Sequence, residues 1–335
     1  MTNIDNEGNV RTLINGSMED FFPLCIYSDN YRDLQVYSDQ GFNCLAWSST
    51  HTAIQNAKNA TSVFNPYGMK AALQIAQYTS VGAFRYNDLT HLQSTLDDIK
   101  SNGVEENLLW YYWDNENNYD KWNVPISVVD KVKLFSVEAN GDKKHPIYAL
   151  NGNVGQARKY NDYVDVGGTY IISGILDIAN YDNVDNSYLD MNYIEGIKSP
   201  IVMAQINLGG NSLTGVKDKM RAVIYKSIIL GAKGIGYWRD KSPLNPSYQD
   251  GDGNMKSSEL HGDITTTSWW EDFKNIRNEI DLMMQNGIIQ SPLLKLSTAR
   301  TNVKNIEAGI RKVGEKYYML IANLNDESKE VEITI

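Results

Sequence analysis

FFPLCIYSDNYRDLQVYSDQGFNCLAWS, Phe21 to Ser48, is the stretch whose reading decides the fold. Phe21–Ser28 is an apolar run of strand length, Tyr31–Gln40 carries a helical pattern closed by Gly41, and Phe42–Ser48 is a second strand-like run. Strand, helix and strand in that order make a parallel βαβ unit, from which two common folds are built. An open doubly wound sheet wants a phosphate-binding glycine fingerprint after its first strand, whereas the residues after Tyr27 read SDNYRD, with no glycine. The unit therefore reads as the first of a closed barrel.

The alternation continues to residue 286. Strand-like runs at Met69–Gln77, Asn107–Asp114, His145–Asn151, Gly167–Ser173, Ile201–Leu208 and Gly234–Asp240 bring the strands to eight. Helical patterns lie between them at Thr52–Phe64, Leu89–Lys100, Ile126–Ala139, Gln156–Asp162, Ser187–Lys198, Lys217–Leu230 and Ser268–Gln285, and glycine or proline stops most of them. Eight units in about 265 residues fit the usual barrel size of about 250. The predicted fold class is α/β, a (β/α)8 TIM barrel over residues 21–290 with a small C-terminal antiparallel β appendage. Residues 1–20 read as an N-terminal strand or hairpin around Glu7-Gly8-Asn9, and 291–335 as a β-sandwich-like appendage of three or four strands with a turn at Lys312–Lys316. Forty-odd residues make a thin core, so the appendage should pack on the barrel, with the N-terminal strand as a candidate to join it.

The 335 residues carry 31 Lys+Arg against 41 Asp+Glu, a formal charge of −10, which leaves no basic footprint for a polyanion. Nucleic acid and membrane surfaces are excluded as expected partners. Cys25 and Cys44 are too few for a disulfide framework or a thiolate zinc site, and the four histidines are scattered, so no metal or cofactor is expected. The two cysteines read as small apolar residues of the first two strands; a thiol nucleophile would require His51 nearby. With no apolar, basic-flanked leader and no apolar stretch of membrane length, the chain as given reads as soluble, without signal peptide or transmembrane segment, and its compartment stays open. Thirty-five Asn beside 21 Tyr and 7 Trp suit saccharide binding, and suit equally the codon usage of an AT-rich genome. The oligomeric state is not legible.

In a barrel, function belongs to the carboxyl ends of the strands. The sharpest feature there is WYYWDNE, Trp110 to Glu116. Residues alternate along a strand, so Trp110, Tyr112, Asp114 and Glu116 share one direction and two carboxylates reach the mouth together. Like charges in proximity, beside aromatic walls, raise one carboxyl's pKa and make a general acid near neutral pH. The competing reading is a solvated acidic loop, because NENNYD stays polar.

At this point the chain resembles a family, the barrel glycoside hydrolases of the large retaining clan that includes β-galactosidases and cellulases. The resemblance rests on NVRTLINGSMEDFFPLCIYSDNYRDLQVYSDQGFNCLAW, YGMKAALQ, LLWYYWDNE, HPIYALN and KMRAVIYKSIILGAKGIGYW, and covers most of residues 10–290. It implies that Glu116 is the acid/base, that Asn115 touches a sugar hydroxyl, and that Trp238 stacks on the sugar. It also implies a nucleophilic Glu ending the seventh strand, where IVMAQINL offers Gln205 instead. Three mechanisms follow from that departure. A second carboxylate could come from Asp240, with Asp177 or Asp88 behind it. Asp114 could orient Glu116 in a substrate-assisted reaction of N-acetylated sugars, as the local resemblance to chitinase-like and muramidase-like barrels implies. Or the barrel binds glycans without cleaving them.

Tyr78 and Trp47, near the ends of the third and second strands, join Gln205 as candidate substrate-binding residues, although large aromatics also fill barrel cores as a matter of course. DGDGN, Asp250 to Asn254, copies half a calcium loop but has Met255 and His261 where Gly and Glu are needed. The run of about 27 residues that contains it is unusually long for a connection and suits a lid or specificity wall. The reading is a glycoside hydrolase acting on O-glycosidic bonds of an oligo- or polysaccharide, with catalytic candidates Glu116, Asp114 and Asp240; the alternative is a catalytically inactive glycan-binding or surface-attachment protein on the same barrel.

Overall fold

The chain opens with three short strands, β1 (Thr2–Ile4), β2 (Val10–Ile14) and β3 (Ser17–Phe21), paired as an antiparallel meander. Eight more follow: β4 (Leu24–Tyr27), β5 (Cys44–Ala46), β6 (Lys70–Gln77), β7 (Leu108–Asn115), β8 (Ile147–Asn151), β9 (Val166–Ile171), β10 (Ile201–Gln205) and β11 (Gly234–Trp238). Each pairs in parallel with the next, and β11 pairs back onto β4, so the sheet is a closed barrel of the predicted class. All eight lie where strands were expected. The computed structural model describes residues 1–27, 34–46, 68–77, 97, 101, 107–115, 145–151, 158, 160–171, 196–205, 216–238, 268–294, 300–301, 306–323 and 328–334. The described helices are α1 (Leu34–Asp39), α2 (Val216–Ile229) and α3 (Ser268–Gln285), while the helices expected at Thr52–Phe64 and Ile126–Ala139 lie outside the described residues.

The first βα unit shows how local sequence becomes packing. Gly41 ends α1 at φ +97°, a conformation L side chains rarely adopt, and a Cβ there would press on Arg277 and Lys274 of α3. Phe42 then stacks on Phe273 of α3 at 4.4 Å between ring centroids. The buried Asn43 accepts from the Leu24 amide at 2.7 Å and donates to the Phe22 carbonyl at 3.0 Å, which fixes β4 at its start. On α3, Phe273, Ile276, Ile280 and Met283 are buried at helical spacing.

The barrel interior is filled by matching large residues to absent ones. Trp110 of β7 and Tyr148 of β8 stack at 5.2 Å within a buried cluster that includes Cys25, Cys44, Ala46, Ala72, Leu150, Val166 and Ile201. Opposite Tyr148 stands Gly168, where a Cβ would collide with the phenol ring, and beside Ile201 stands Gly234, where a Cβ would meet Ile201 Cδ1 at 2.6 Å. Cys25 and Cys44 correct the sequence reading. They are register partners on β4 and β5, 4.2 Å apart at Cα, and form a disulfide. Composition counts cysteines but does not carry register, and it is register that brings these two on neighbouring strands together.

The amino ends of the strands are sealed by the meander. Val10 and Phe21 join the interior cluster, the Thr2 hydroxyl reaches the Leu108 carbonyl at 3.4 Å, and Lys70 Nζ donates to the Leu13 carbonyl at 2.8 Å. The first strand thus pairs within its own sheet and does not join the C-terminal strands. Those are β12 (Arg300–Thr301), β13 (Ile306–Val313), β14 (Lys316–Asn323) and β15 (Ile333–Thr334); β13 and β14 form a hairpin, and β12 pairs with β15. Arg311 of β13, fully buried, donates to the carbonyls of Ile228 at 2.7 Å, Ile289 at 3.1 Å and Ser291 at 2.5 Å, which clamps the hairpin to α2 and to the segment after α3. Lys226 of α2 adds a shielded ion pair with Glu307 at 2.9 Å. None of the described helices is long and apolar enough to cross a membrane.

Lys233, just before β11, is buried and donates to Asn9 Oδ1 at 2.7 Å. Burial, helped by the nearby Arg311 charge and opposed by Asp5 and Glu7, lowers its pKa to about 8. Between about pH 8 and its ordinary value of 10.5 the unfolded chain therefore holds a proton that the folded one has released, so Lys233 makes stability rise with pH across that window. The rise amounts to about 3 kcal/mol. Denaturant titrations at pH 7.5 and 10 should show Lys233→Met lacking this increment relative to the unaltered protein. For the disulfide, thiol blocking under denaturing, non-reducing conditions should find no free cysteine in protein folded under oxidising conditions, and replacing both cysteines by alanine should cost that protein about 3 kcal/mol, as expected for a closed loop of this length.

Candidate active site

Strand order fixes which chain segments meet at the carboxyl rim. Asp114 and Asn115 are the last two residues of β7, Gln205 is the last of β10, and Trp238 is the last of β11. The ring carries all four on one rim of the barrel. Gln205 and Trp238 are direct register partners, and Trp238 pairs on its other side with Tyr27, the last residue of β4. Across the ring, Asp114 pairs with Gln77 of β6 and Asn115 with Asn151 of β8. The other candidates, Glu116, Asp240, Tyr78 and Trp47, with Asp177, Asp88, His51 and the Asp250–Asn254 run, lie outside the described residues.

Below the rim the barrel is apolar. Trp110 occupies the strand position four before Asp114 and belongs to the interior, packed against Tyr148, so it acts as core beneath the candidate site. The described part of β10, Ile201 to Gln205, contains no carboxylate. His145 sits before β8 at the amino side, buried and edge-on to Tyr111, far along the strand from the rim. Cys25 and Cys44, being joined, supply no thiol nucleophile.

Two rim partnerships were not legible in the sequence. Gln77 comes opposite Asp114 because two register shifts in the β6–β7 ladder, at Ala71/Ala72 and at Gln74/Ala76, cancel, and no composition or periodicity announces either. Tyr27 was visible as an aromatic at a strand end, but its place beside Trp238 depends on how the ring closes.

No protein-family model matches this chain, and no curated protein sequence does. Solved structures do match. The endo-β-1,4-mannanase of Thermotoga petrophila superposes with a TM-score of 0.57 at 12% identity, covering 88% of this chain and 84% of that one. A glycoside hydrolase family 5 mannosidase from Rhizomucor miehei, seen with mannosyl-fructose, gives 0.56 at 10% identity over 85% and 98% of the two chains. An α-amylase from H. orenii gives 0.53 at 10% identity over 90% and 89%. The likeness is one of fold.

The floor of this rim can be tested without a ligand. Gly168→Ala drives a methyl group into the Tyr148 ring, in an interior already filled by Trp110 and Leu150. It should cost about 1–3 kcal/mol in urea-induced unfolding, and Tyr148→Leu in the same chain should recover part of that loss by vacating the space.

Proposed function

We propose that this chain acts on O-glycosidic bonds of an oligo- or polysaccharide, with Glu116 as acid/base. The observation that carries the reading is the closed barrel that ends β7 on Asp114-Asn115, immediately before Glu116, on the same rim as Gln205 and Trp238. Barrel loops and strand ends on that side are where such folds keep their chemistry. The carbohydrate-active neighbours make a saccharide the first ligand to try. In this reading Glu116 protonates the leaving oxygen, Asp114 stays ionised and holds it in place, Asn115 takes a sugar hydroxyl, and Trp238, Tyr78 and Trp47 offer ring faces. Residues 21–290 form the catalytic unit, and 1–20 and 291–335 its structural flanks.

The second group of the reaction is open between two routes. A carboxylate outside β10, with Asp240 first, would serve direct displacement, in which separations of about 5–5.5 Å give retention and 6.5–9.5 Å inversion. A substrate N-acetyl group would serve instead if only N-acetylated sugars are cleaved. A second reading is favoured by one observation, the absence of a carboxylate from Ile201 to Gln205: the barrel binds glycans and does not cleave them.

Turnover of a panel of aryl glycosides and natural glycans, run beside binding titrations of the same compounds, separates the two. For an enzyme, Glu116→Gln should lower turnover by about 10²–10⁴-fold while the unfolding transition stays in place. Binding without turnover across the panel, abolished by Trp238→Ala, would instead establish the binder.

A further inference from the structure

The C-terminal hairpin leaves one edge open. Among the described residues β13 is bordered on one side by β14 and on the other by the segment after α3, where Leu293 bridges to Arg311 and the Leu294 amide donates to the Ile310 carbonyl at 3.0 Å. Ile310 thus turns its backbone groups away from β14. Antiparallel ladders alternate, so Met319, opposite Ile310, turns its own groups away from β13, and so do Tyr317 and Ile321 two residues to either side. The described sheet ends there, which leaves their N–H and C=O groups as a free row. The same three residues expose their side chains, at 63%, 43% and 49% for Tyr317, Met319 and Ile321, while Arg311 and Ala322 on the opposite face of the hairpin are buried. The other exposed large apolar residues among those described, Met1 and Leu282, belong to other parts of the chain. An eight-residue edge that is apolar and holds no proline or central charge invites a further strand.

The sequence of the edge complements itself. With a second β14 laid antiparallel about a two-fold axis at Met319, each Met319 faces its copy and each Tyr317 faces Ile321 of the other chain, an aromatic against a β-branched residue on both sides of the axis. Every residue from Lys316 to Ala322 then falls opposite one of the same run, and the free row makes about six N–H···O bonds. An axis at Tyr317 or Ile321 shortens that overlap. Charge agrees with the central register. Lys316 comes opposite Ala322 and Glu315 opposite Asn323, so no like charges meet, and Lys312, whose Nζ lies 5.3 Å from the Tyr317 ring centre, stays at the margin. Residues 306–323 carry Arg311, Lys312 and Lys316 against Glu307 and Glu315, a mildly basic element on a chain of formal charge −10, so a second acidic copy meets least repulsion here. We propose that β14 is a dimer edge, on which a second copy of this chain pairs strand to strand about Met319. The ladder is short, below the roughly 1,200 Å² of a stable interface, so the dimer is a reversible one. The inference is independent of the glycan reading.

Sedimentation velocity of the full chain, from about 10 μM to 1 mM, should show a monomer passing into a dimer as concentration rises. Met319→Lys, which sets two ammonium groups face to face on the axis, should weaken that dimer at least tenfold, Met319→Leu should keep it, and Leu282→Lys, on α3, should leave it unchanged; urea unfolding of each variant checks that the fold is intact. Register is read by cross-linking under a mild oxidant. Met319→Cys should link to itself, whereas Tyr317→Cys and Ile321→Cys should link efficiently only when the two variants are mixed. A chain that stays monomeric throughout overturns the proposal and leaves the edge to a strand of another protein. A dimer that survives Met319→Lys with Met319→Cys unlinked overturns it by placing the contact elsewhere, and self-linking of Tyr317→Cys as efficient as that of Met319→Cys overturns the register.

Discussion

The rest of this structure depends on the hydrogen-bond ladder that joins β11 to β4. Without that last pairing the sheet would have two open edges, and the ends of β4, β7, β10 and β11 would be spread along a ribbon. With it, residues from both ends of the chain come to one rim, and Tyr27 stands beside Trp238 although most of the sequence lies between them. Closure also constrains side-chain volume, because a ring of fixed circumference holds a fixed interior. The large Tyr148 is accommodated by the bare position at Gly168, and Ile201 by that at Gly234, in a cluster where Trp110 is joined by the small Ala46 and Ala72. A slip of one residue in any register would turn each of these matches outward.

The two ends of the barrel are treated differently. At the amino side, polar groups are spent on holding pieces together: Lys70, Lys233 and Asn43 all bond to backbone or side-chain partners of neighbouring segments, and the meander covers what lies beneath. Here too the Ile289 carbonyl, just after α3, accepts from Arg311 and, at 3.5 Å, from Lys233, so the C-terminal hairpin and the approach to β11 converge on a single acceptor. At the carboxyl side the strands end on Gln77, Asn115, Asn151 and Gln205, residues rich in hydrogen-bonding capacity, with Tyr27 and Trp238 among them. One end is tied together by bonds between segments, and the other ends its strands on polar and aromatic residues.

Much of the fold could be read from particular residues. Gly41, Gly231 and Gly287, read as helix stops, all adopt positive φ at the ends of α1, α2 and α3, and α3 runs over the residues its apolar spacing marked. Gly41-Phe42-Asn43, part of the family resemblance, turns out to have a structural purpose as helix stop, aromatic contact and strand brace. What escaped depends on register and on partners distant in sequence. The clamp at Arg311 carries no sequence signal, because its three carbonyl acceptors come from segments as remote as Ile228. The pairing of Gln77 with Asp114 survives because two irregularities of the ladder cancel, and the disulfide arises from a match between two strands. For the site, the rim positions of Asp114, Asn115, Gln205 and Trp238 follow from strand ends, while their neighbours follow only from closure.

The bridge between Cys25 and Cys44 bears on where the protein must be made. Both sulfurs belong to residues shut inside the barrel, with 4% and 0% of their surface open to solvent. Neither an oxidant nor a reductant reaches them once the ring has formed. The bond is therefore settled while β4 and β5 are still accessible, and the redox conditions around the nascent chain, rather than those in which the finished protein works, decide whether it exists. Recombinant material produced in a reducing cytosol and material produced in an oxidising compartment would then be two different covalent molecules with one sequence.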